Sequence, residues 1–245
     1  PWAHQARTFA TLLAGRFAGG IDPDSDFRPD WIAESAAALT DAATRFNHPE
    51  WTSIGHQLAL QLCRIAADPV TGFFPGQAHP SAAGSATVVD PLVKVGSQAQ
   101  LVDALLTVYD GTQDEEILAA VSKNLASLQS PHIGIADADN GGWFYALNVD
   151  GTNVRKSYKE TRQAWLVTLF RHAADRGLVN PEVGERLATT VREQLYQPDS
   201  RGYVYRVRED WTPYVTTQDD RRIVENWVSS EATGIAVQAL LGPLA

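Results

Sequence analysis

The sequence predicts an all-α fold, an incomplete (α/α) toroid of about four helical hairpins with short β-hairpins in the connections. Three observations favour this fold. Apolar residues recur at intervals of three and four along most of the chain, the extended runs are few and short, and one glycine–aromatic motif recurs. We expect residues 1–245 to form a single domain, because 44% of them are apolar and the length suits one large core.

Eight segments show the helical period and are separated by Gly, Pro or acidic turns. They are residues 2–18, 29–46, 50–67, 94–109, 113–129, 157–176, 181–196 and 226–241. Four of them are expected to form an inner ring, namely 29–46, 94–109, 157–176 and 226–241. The last three of these are especially apolar.

The recurring motif consists of an acidic residue, a glycine and an aromatic residue. It appears as DPVTGFF at 68–74, DNGGWFY at 139–145 and DSRGYVY at 199–205. Its glycines lie 70 and 60 residues apart, and each motif follows one predicted helix and precedes another. The pattern indicates repeated helical hairpins, each of which buries its apolar face only against its neighbours.

Two connections alternate apolar and polar residues about a turn signal, which is typical of a β-hairpin. WFYALN and NVRKSY flank the dipeptide Asp150-Gly151, which favours a tight two-residue turn. GYVYRV and TPYVTT flank REDW at 208–211. These strands are too short to build a central sheet, so they are predicted to decorate the helices.

Charge and composition restrict the partners. The net charge is −9 and the pI is about 5.1, which argues against a nucleic-acid surface. No run of eighteen apolar residues occurs, so no membrane span is expected. The chain begins at Pro1; if a leader has been removed, the expected compartment is the periplasm or the exterior.

The first turns of the inner helices predict the site. Their N-termini should face one mouth of the cavity and bring Glu34, Arg162, Gln163 and Glu231 together, with the helix dipoles adding positive potential. Glu34 and Glu231 are candidates for the acid and base, or the acid and nucleophile, of a reaction. The alternative is that both carboxylates only cap their helices.

Three cations come at or just before the start of the helix predicted at 157–176. Lys156, Lys159 and Arg162 stand where the helix dipole disfavours positive charge. We hypothesise that they hold an anion, either a substrate carboxylate or the two carboxylates named above. The alternative is a solvated charge run paired with Glu160.

Aromatic side chains near these cations predict a cleft that stacks sugar rings. Candidates for substrate contacts are Trp143, Tyr145 and Trp227, beside Lys156, Lys159 and Gln163. Tyr158 is a candidate base for removing a proton. The alternative is that the aromatic residues belong to the core.

No cofactor is expected, because the sequence lacks zinc, P-loop and dinucleotide motifs. Asp22, Asp24 and Asp26 alternate as in a calcium loop, but Phe27 replaces the glycine that an EF-hand requires. Another kind of calcium site stays open at these residues, whereas turn formation by Asp is the favoured interpretation.

The stretch GGWFYALNVDGTNVRKSYKETRQAWLVTLF resembles the N-acylglucosamine 2-epimerase and cellobiose epimerase group of α/α toroids. It shares the Gly142-Trp143 strand, the Asp150-Gly151 turn, Lys156 or Lys159, and the run from Arg162-Gln163 to Trp165. The same succession is similar to that of polysaccharide lyases and six-hairpin glycosidases. The resemblance covers about an eighth of the chain and implies a toroid fold more strongly than a reaction.

We therefore expect a carbohydrate-active enzyme that acts on an oligo- or polysaccharide in an open groove. Arg162 and Lys159 would neutralise a uronate for β-elimination with Tyr158 or Lys156 as base, or Glu34 and Glu231 would hydrolyse a neutral glycan. Three alternatives stay open. They are a non-catalytic module that binds a glycan or a protein, a sugar epimerase, whose family uses a His pair absent from the inner helix starts here, and a relative of isoprenoid cyclases.

Overall fold

The computed structural model describes residues 2–81, 84–218, 221–225 and 227–242. The α-helices are α1 (Trp2–Phe17), α2 (Pro29–Phe46), α3 (Pro49–Ala66), α4 (Val95–Thr112), α5 (Glu115–Leu128), α6 (Trp165–Ala174), α7 (Pro181–Gln194) and α8 (Ser230–Leu241). The strands are β1 (Gln77–Pro80), β2 (Ala86–Asp90), β3 (Leu92–Lys94), β4 (Ala146–Asn148), β5 (Lys159–Glu160), β6 (Tyr196–Gln197), β7 (Gly202–Tyr203), β8 (Arg206–Val207), β9 (Tyr214–Gln218) and β10 (Arg221–Glu225). None of the described helices is long and apolar enough to cross a membrane.

The predicted helices are present, but two of them begin later than expected. The helix predicted from residue 157 begins at Trp165, after a 3₁₀-helix at Thr161–Ala164, and the helix predicted from residue 226 begins at Ser230. The first delay arises because β5 leaves the helical path to pair antiparallel with β8. Lys159 therefore lies in a strand rather than at the start of an α-helix as predicted, whereas Arg162 lies just before α6, in the 3₁₀-helix.

The chain divides into two compact units, and the expectation of a single domain at residues 1–245 stays a prediction. The first unit contains Pro1–Val93 and Gln100–Ser127, and the second contains Lys94–Ala99 and Leu128–Ala245. In the second unit α6 packs against α7 and α8, and the 3₁₀-helix packs against α8. These contacts fix the segment that carries the candidate site.

A close contact between α2 and α3 is central to the first unit. Their apolar faces include Ile32, Leu39, Leu58 and Leu62, all of them buried. Gly55 lets the two backbones approach, because a Cβ at this position would lie 2.6 Å from the carbonyl oxygen of Ala36. Tight helix packing of this kind has no room for one more methyl group.

The recurring acidic motif forms the same turn twice. The Asp68 carboxylate accepts the backbone N–H groups of Val70 and Thr71, and Gly72 follows with a φ of +74°. In the second copy this role belongs to Asp137, whose carboxylate accepts the N–H groups of the residues two and three positions later. The sequence analysis took Asp139 as the acidic residue of this copy, but the residue that forms the turn is Asp137, two positions earlier. The motif alone does not distinguish the two aspartates.

The hairpin expected at 202–217 is replaced by other pairings. β7 pairs with β6, β8 pairs with β5, and β9 pairs with β10. Only a tight turn over 208–212 and an isolated bridge between Val207 and Pro213 resemble the prediction. The local alternation was compatible with both arrangements, and partners far along the chain decided between them.

The hairpin expected about Asp150-Gly151 is only partly formed: backbone hydrogen bonds join its two arms, but the second arm, at 152–158, is not a strand. The Asn148 N–H donates to the Thr152 carbonyl, and the Arg155 N–H donates to the Ala146 carbonyl. The loop between the paired residues therefore contains one residue more than the predicted two-residue turn. Gly151 takes up the required positive φ of +83°.

A buried ion pair joins the turn at Asp137 to β5. Lys159 has 0% exposure, and its Nζ donates to the Asp137 carboxylate at 2.7 Å and to the Glu209 carbonyl at 2.6 Å. The ammonium also lies 4.2 Å from the ring centroid of Trp211. Burial lowers the pKa of Lys159, whereas the neighbouring carboxylate opposes that shift. The pair thus fixes the strand that leads into the site.

The contact at Gly55 predicts that alanine at this position destabilises the protein, whereas alanine ordinarily stabilises a helix relative to glycine. Gly55→Ala should lower the free energy of unfolding by about 1–3 kcal/mol, because the new Cβ meets the α2 backbone. The matched control is Gly15→Ala in α1, where, apart from the helix's own backbone and the adjacent residues, no atom of the described part of the chain lies within 4 Å of the new Cβ. That change should be neutral or stabilising by up to about 1 kcal/mol. Urea unfolding measures both; equal stabilisation by the two variants would contradict the packing.

The buried ion pair predicts a pH-dependent loss of stability in Asp137→Asn. The asparagine oxygen still accepts the turn N–H groups, but Lys159 loses its counter-charge, so the unfolding free energy at pH 7 should fall by about 3 kcal/mol. Burial acts to raise the pKa of Asp137, but the Lys159 and backbone hydrogen bonds outweigh it and lower this pKa. The difference from wild type is therefore present above the ordinary pKa of about 3.9 and disappears as the pH falls through the lower folded value.

Asp150→Asn is the matched control for this prediction. Asp150 accepts the N–H and hydroxyl of Thr152 in a similar turn, but it is exposed and pairs with no lysine among the described residues. Urea unfolding at stepped pH should show a much smaller change for Asp150→Asn. If the difference in unfolding free energy between wild type and Asp137→Asn stays constant as the pH falls, this result would contradict the ion-pair account.

Candidate functional site

The 3₁₀-helix places Arg162 and Gln163 in the second unit, directly after β5. The Thr161 N–H donates to the Tyr205 carbonyl at 3.0 Å, so the segment stays tied to β8 as it turns. Gly96 packs on the other side, where a Cβ would lie 2.7 Å from the Cβ of Arg162. Backbone contacts on two sides therefore set the direction of the Arg162 side chain.

Arg162 forms an ion pair with Glu231, as one form of the sequence hypothesis proposed. Its guanidinium donates to a Glu231 carboxylate oxygen across 69 residues of sequence. Glu231 lies in the first turn of α8, where the dipole favours an anion and Ser229 caps the helix. Both side chains are partly exposed, so solvent or a ligand reaches the pair.

A small cavity lies behind this ion pair. Its volume is about 10 Å³, and Gly96, Trp143, Glu160, Arg162 and Gln163 are among its lining residues. The Nε of Arg162 and the Nε2 of Gln163 are buried and have no hydrogen-bond partner within the described part of the chain. The space matches about one water molecule. Two donors here are thus available to an oxygen atom of a water or a ligand.

Glu160 is the site residue whose role sequence reasoning missed. It is only 8% exposed, and burial raises its pKa, although Arg162 and a hydrogen bond from Tyr205 act against that shift. A carboxyl in this setting keeps its proton to higher pH than an exposed glutamate. Glu160 belongs to the run K-E-T-R at 159–162, which from the sequence alone resembles a run of exposed surface charges. Only the pairing of β5 with β8 shows that Glu160 is buried.

Two aromatic stacks flank the charged residues. Tyr145 and Tyr158 stack at 4.7 Å between ring centroids, and Tyr205 and Trp227 stack at 5.2 Å. Trp227 is 51% exposed, so much of its surface stays open to solvent. Burial raises the pKa of Tyr158 well above its usual range, which disfavours the phenolate that a base would need.

The other predicted residues lie in different settings. Trp143 is buried against Phe170, with its indole N–H donating to the Leu128 carbonyl at 2.8 Å. Its backbone N–H donates to the Gln163 side-chain oxygen at 2.9 Å. Lys156 is exposed, near the Phe144 ring. Their predicted roles as substrate contacts stay predictions, as does that of Lys159.

Glu34 belongs to the first unit, where it lies exposed on α2. Partial loss of hydration, followed by the negative charge of Asp30, raises its pKa. A raised pKa suits a proton donor. Its predicted catalytic role stays a prediction.

The acidic loop after α1 is organised as a turn. Asp22 accepts the Asp24 N–H and the Ser25 hydroxyl, while Asp26 accepts the Gln77 amide. Within the described ranges, no group of three or more His, Cys, Asp or Glu side chains could hold a metal ion. Asp22 thus stabilises the turn, and Asp26 joins it to β1.

Comparisons with known proteins bear on the fold. No protein-family model matches the sequence, and no curated protein matches it either. Among solved structures, the cellobiose 2-epimerase from Spirochaeta thermophila DSM 6192 is similar, with a TM-score of 0.68, 17% identity, and coverage of 96% of this chain and 64% of that chain.

Two further solved structures belong to other kinds of protein. An α-1,6-mannanase of Salegentibacter sp. HEL1_6 gives a TM-score of 0.64 at 12% identity, covering 98% of this chain and 63% of that chain. A polysaccharide lyase gives 0.56 at 14% identity, covering 90% and 60%.

The three structures share one architecture. The chain spans less than two thirds of the length of each of them. At these identities the likeness shows the fold alone. The chain therefore has the all-α fold predicted from its sequence, an incomplete (α/α) toroid with short strand pairs in the helix connections.

Proposed function

We propose that the chain acts on an oligo- or polysaccharide in an open groove, by acid–base chemistry at Glu160, Arg162 and Glu231. One observation carries the proposal. A buried carboxyl with a raised pKa lies beside a solvent-accessible Arg–Glu ion pair, and the three residues come from two remote parts of the chain. The carbohydrate-active proteins that share the fold support the same substrate class.

The two carboxyl groups suit the two roles of a glycoside hydrolase. Glu160 holds its proton and donates it to the glycosidic oxygen as the C–O bond to the leaving sugar breaks. Glu231, which is paired with Arg162, accepts a proton from the water that forms the new C–O bond. Opposite environments for two carboxyls separate acid from base in this way.

The residues around the pair favour hydrolysis over β-elimination. Elimination needs a base for a carbon-bound proton, and the raised pKa of Tyr158 makes that side chain a poor base. It also needs cations for the uronate, whereas Lys159 is fully buried and paired with Asp137. Arg162 alone would then have to bind the substrate carboxylate while it stays paired with Glu231.

The open surface of Trp227 suits the apolar side of a sugar ring. Tyr205 stacks on the Trp227 ring at 12° and holds it in place. The same phenol hydrogen-bonds to Glu160, so this aromatic pair lies next to the proposed acid. A sugar on Trp227 would thus lie near the carboxyl that protonates its linkage.

A second candidate is a sugar 2-epimerase. The similar cellobiose 2-epimerase structure favours it. An acid and a base on one sugar would also serve to remove a proton from one carbon and return it.

Incubation with neutral polysaccharides, acidic polysaccharides and reducing disaccharides tests these alternatives. New reducing ends without ultraviolet-absorbing unsaturated uronates would support hydrolysis. Unsaturated products would establish elimination, and an epimeric disaccharide in the proton NMR spectrum would establish epimerisation. Binding without any product across the set would make the chain a non-catalytic glycan-binding module and overturn the proposal.

Removing either carboxyl should lower the rate, and removing Glu160 should also change one limb of the pH profile. Glu160→Gln should lower kcat by about 10²–10⁴ and abolish the decline at high pH, because that decline reports loss of the Glu160 proton. Glu231→Gln should also lower kcat, because it removes the proposed base.

Glu193→Gln provides the control, since Glu193 is an exposed residue of α7. It should leave both limbs unchanged. Wild-type kcat and an unaltered pH profile in Glu160→Gln would exclude this residue as the acid.

A further inference from the structure

The first unit contains a cavity that the proposed chemistry does not use. Its volume is about 530 Å³, and its walls come from the end of α1, the following loop and the first turns of α2. Small-molecule sites commonly occupy about 300–1,000 Å³. The cavity thus has the size of a site for one or two sugar rings.

The wall of this cavity is largely aromatic and aliphatic. Phe17, Phe27 and Ile32 line it beside Trp31. Trp31 is 60% exposed, and the Arg28 guanidinium lies 4.4 Å from the indole centroid. A large ring held in place by a cation–π contact and open to solvent is a suitable surface for a flat ligand.

The charges of the wall balance. Arg28 forms a two-pronged hydrogen-bonded ion pair with Asp30, with its Nε 3.1 Å from one carboxylate oxygen. Arg16 lies 3.8 Å from the oppositely charged Asp22. Two arginines and two aspartates line the cavity, so their formal charges cancel and the wall does not favour negative charge.

The aspartates of the wall are likewise satisfied. Asp26 accepts a hydrogen bond from the Gln77 amide at 3.1 Å and one from His79 Nδ1 at 2.9 Å. Asp22 accepts the Ser25 hydroxyl as well as its backbone donor. A cation therefore finds no unpaired carboxylate, whereas the lone pairs that these oxygens and the Ser35 hydroxyl retain accept further hydrogen bonds.

We propose that this cavity binds a neutral carbohydrate, with the sugar ring against Trp31 and its hydroxyl groups donating to the Asp26 and Ser35 oxygens. A sugar is neutral, has an apolar C–H face for the indole, and carries many hydroxyl groups for paired polar side chains. The site does not depend on the proposed function, because it requires binding alone.

The test is a titration of protein labelled with ¹⁵N at tryptophan. Neutral gluco- and manno-oligosaccharides are the probes, and an oligogalacturonate is the anionic comparison. The indole signal of Trp31, identified by its absence in Trp31→Ala, should shift with a neutral oligosaccharide and not with the oligogalacturonate. Added salt should leave the affinity unchanged, because no net charge is recognised.

Two variants supply the matched comparison. Trp31→Ala should weaken binding of the oligosaccharide by about tenfold or more, as loss of an aromatic anchor does. Trp2→Ala removes another exposed tryptophan, 84% exposed and outside the cavity wall, and should leave the affinity unchanged.

Three results would overturn the proposal. They are an unshifted Trp31 signal with every neutral oligosaccharide, equal affinity in Trp31→Ala, and binding of the anionic sugar alone. The titration reads binding directly, so it gives the same answer whether or not the protein turns a glycan over.

Discussion

The buried ion pair between Lys159 and Asp137 is the constraint on which the candidate site of the second unit depends. An ammonium group without exposed surface needs a partner, because a lone charge in the interior is very costly. A shift of β5 by one residue would put Glu160 in the place of Lys159, where a glutamate has no positively charged partner. This requirement fixes the positions of Glu160 and Arg162, the next residues of the site.

The same constraint gives the two glutamates different environments. Glu160 is held in the interior beside β8, where loss of water favours its protonated form. Glu231 stands at the exposed start of α8, where it is paired with Arg162. One carboxyl is thus buried and the other exposed and paired, and this difference in environment is the physical basis of the proposed chemistry.

The sequence predicted those features that depend on local period and missed those that depend on distant partners. Helical periodicity located α2, α3 and α7, and the Asn180-Pro181 start of α7 was recognisable because capping is local. The late start of α6 was not, because it depends on pairing between residues 159–160 and 206–207. The pairing of Arg162 with Glu231 is an exception, since it spans 69 residues but was one of the partners expected from the charges at the helix starts. The interior positions of Lys159 and Glu160 were missed, because they depend on the pairing of β5 with β8.

Carboxyl-carbon NMR titration tests the central claim that this fold holds Glu160 as a proton donor. The Glu160 signal, assigned by its loss in a glutamine variant, should titrate above the ordinary glutamate range and move when a glycan product is added. A Glu160 midpoint at or below the ordinary range, with no response to glycan, would contradict the account.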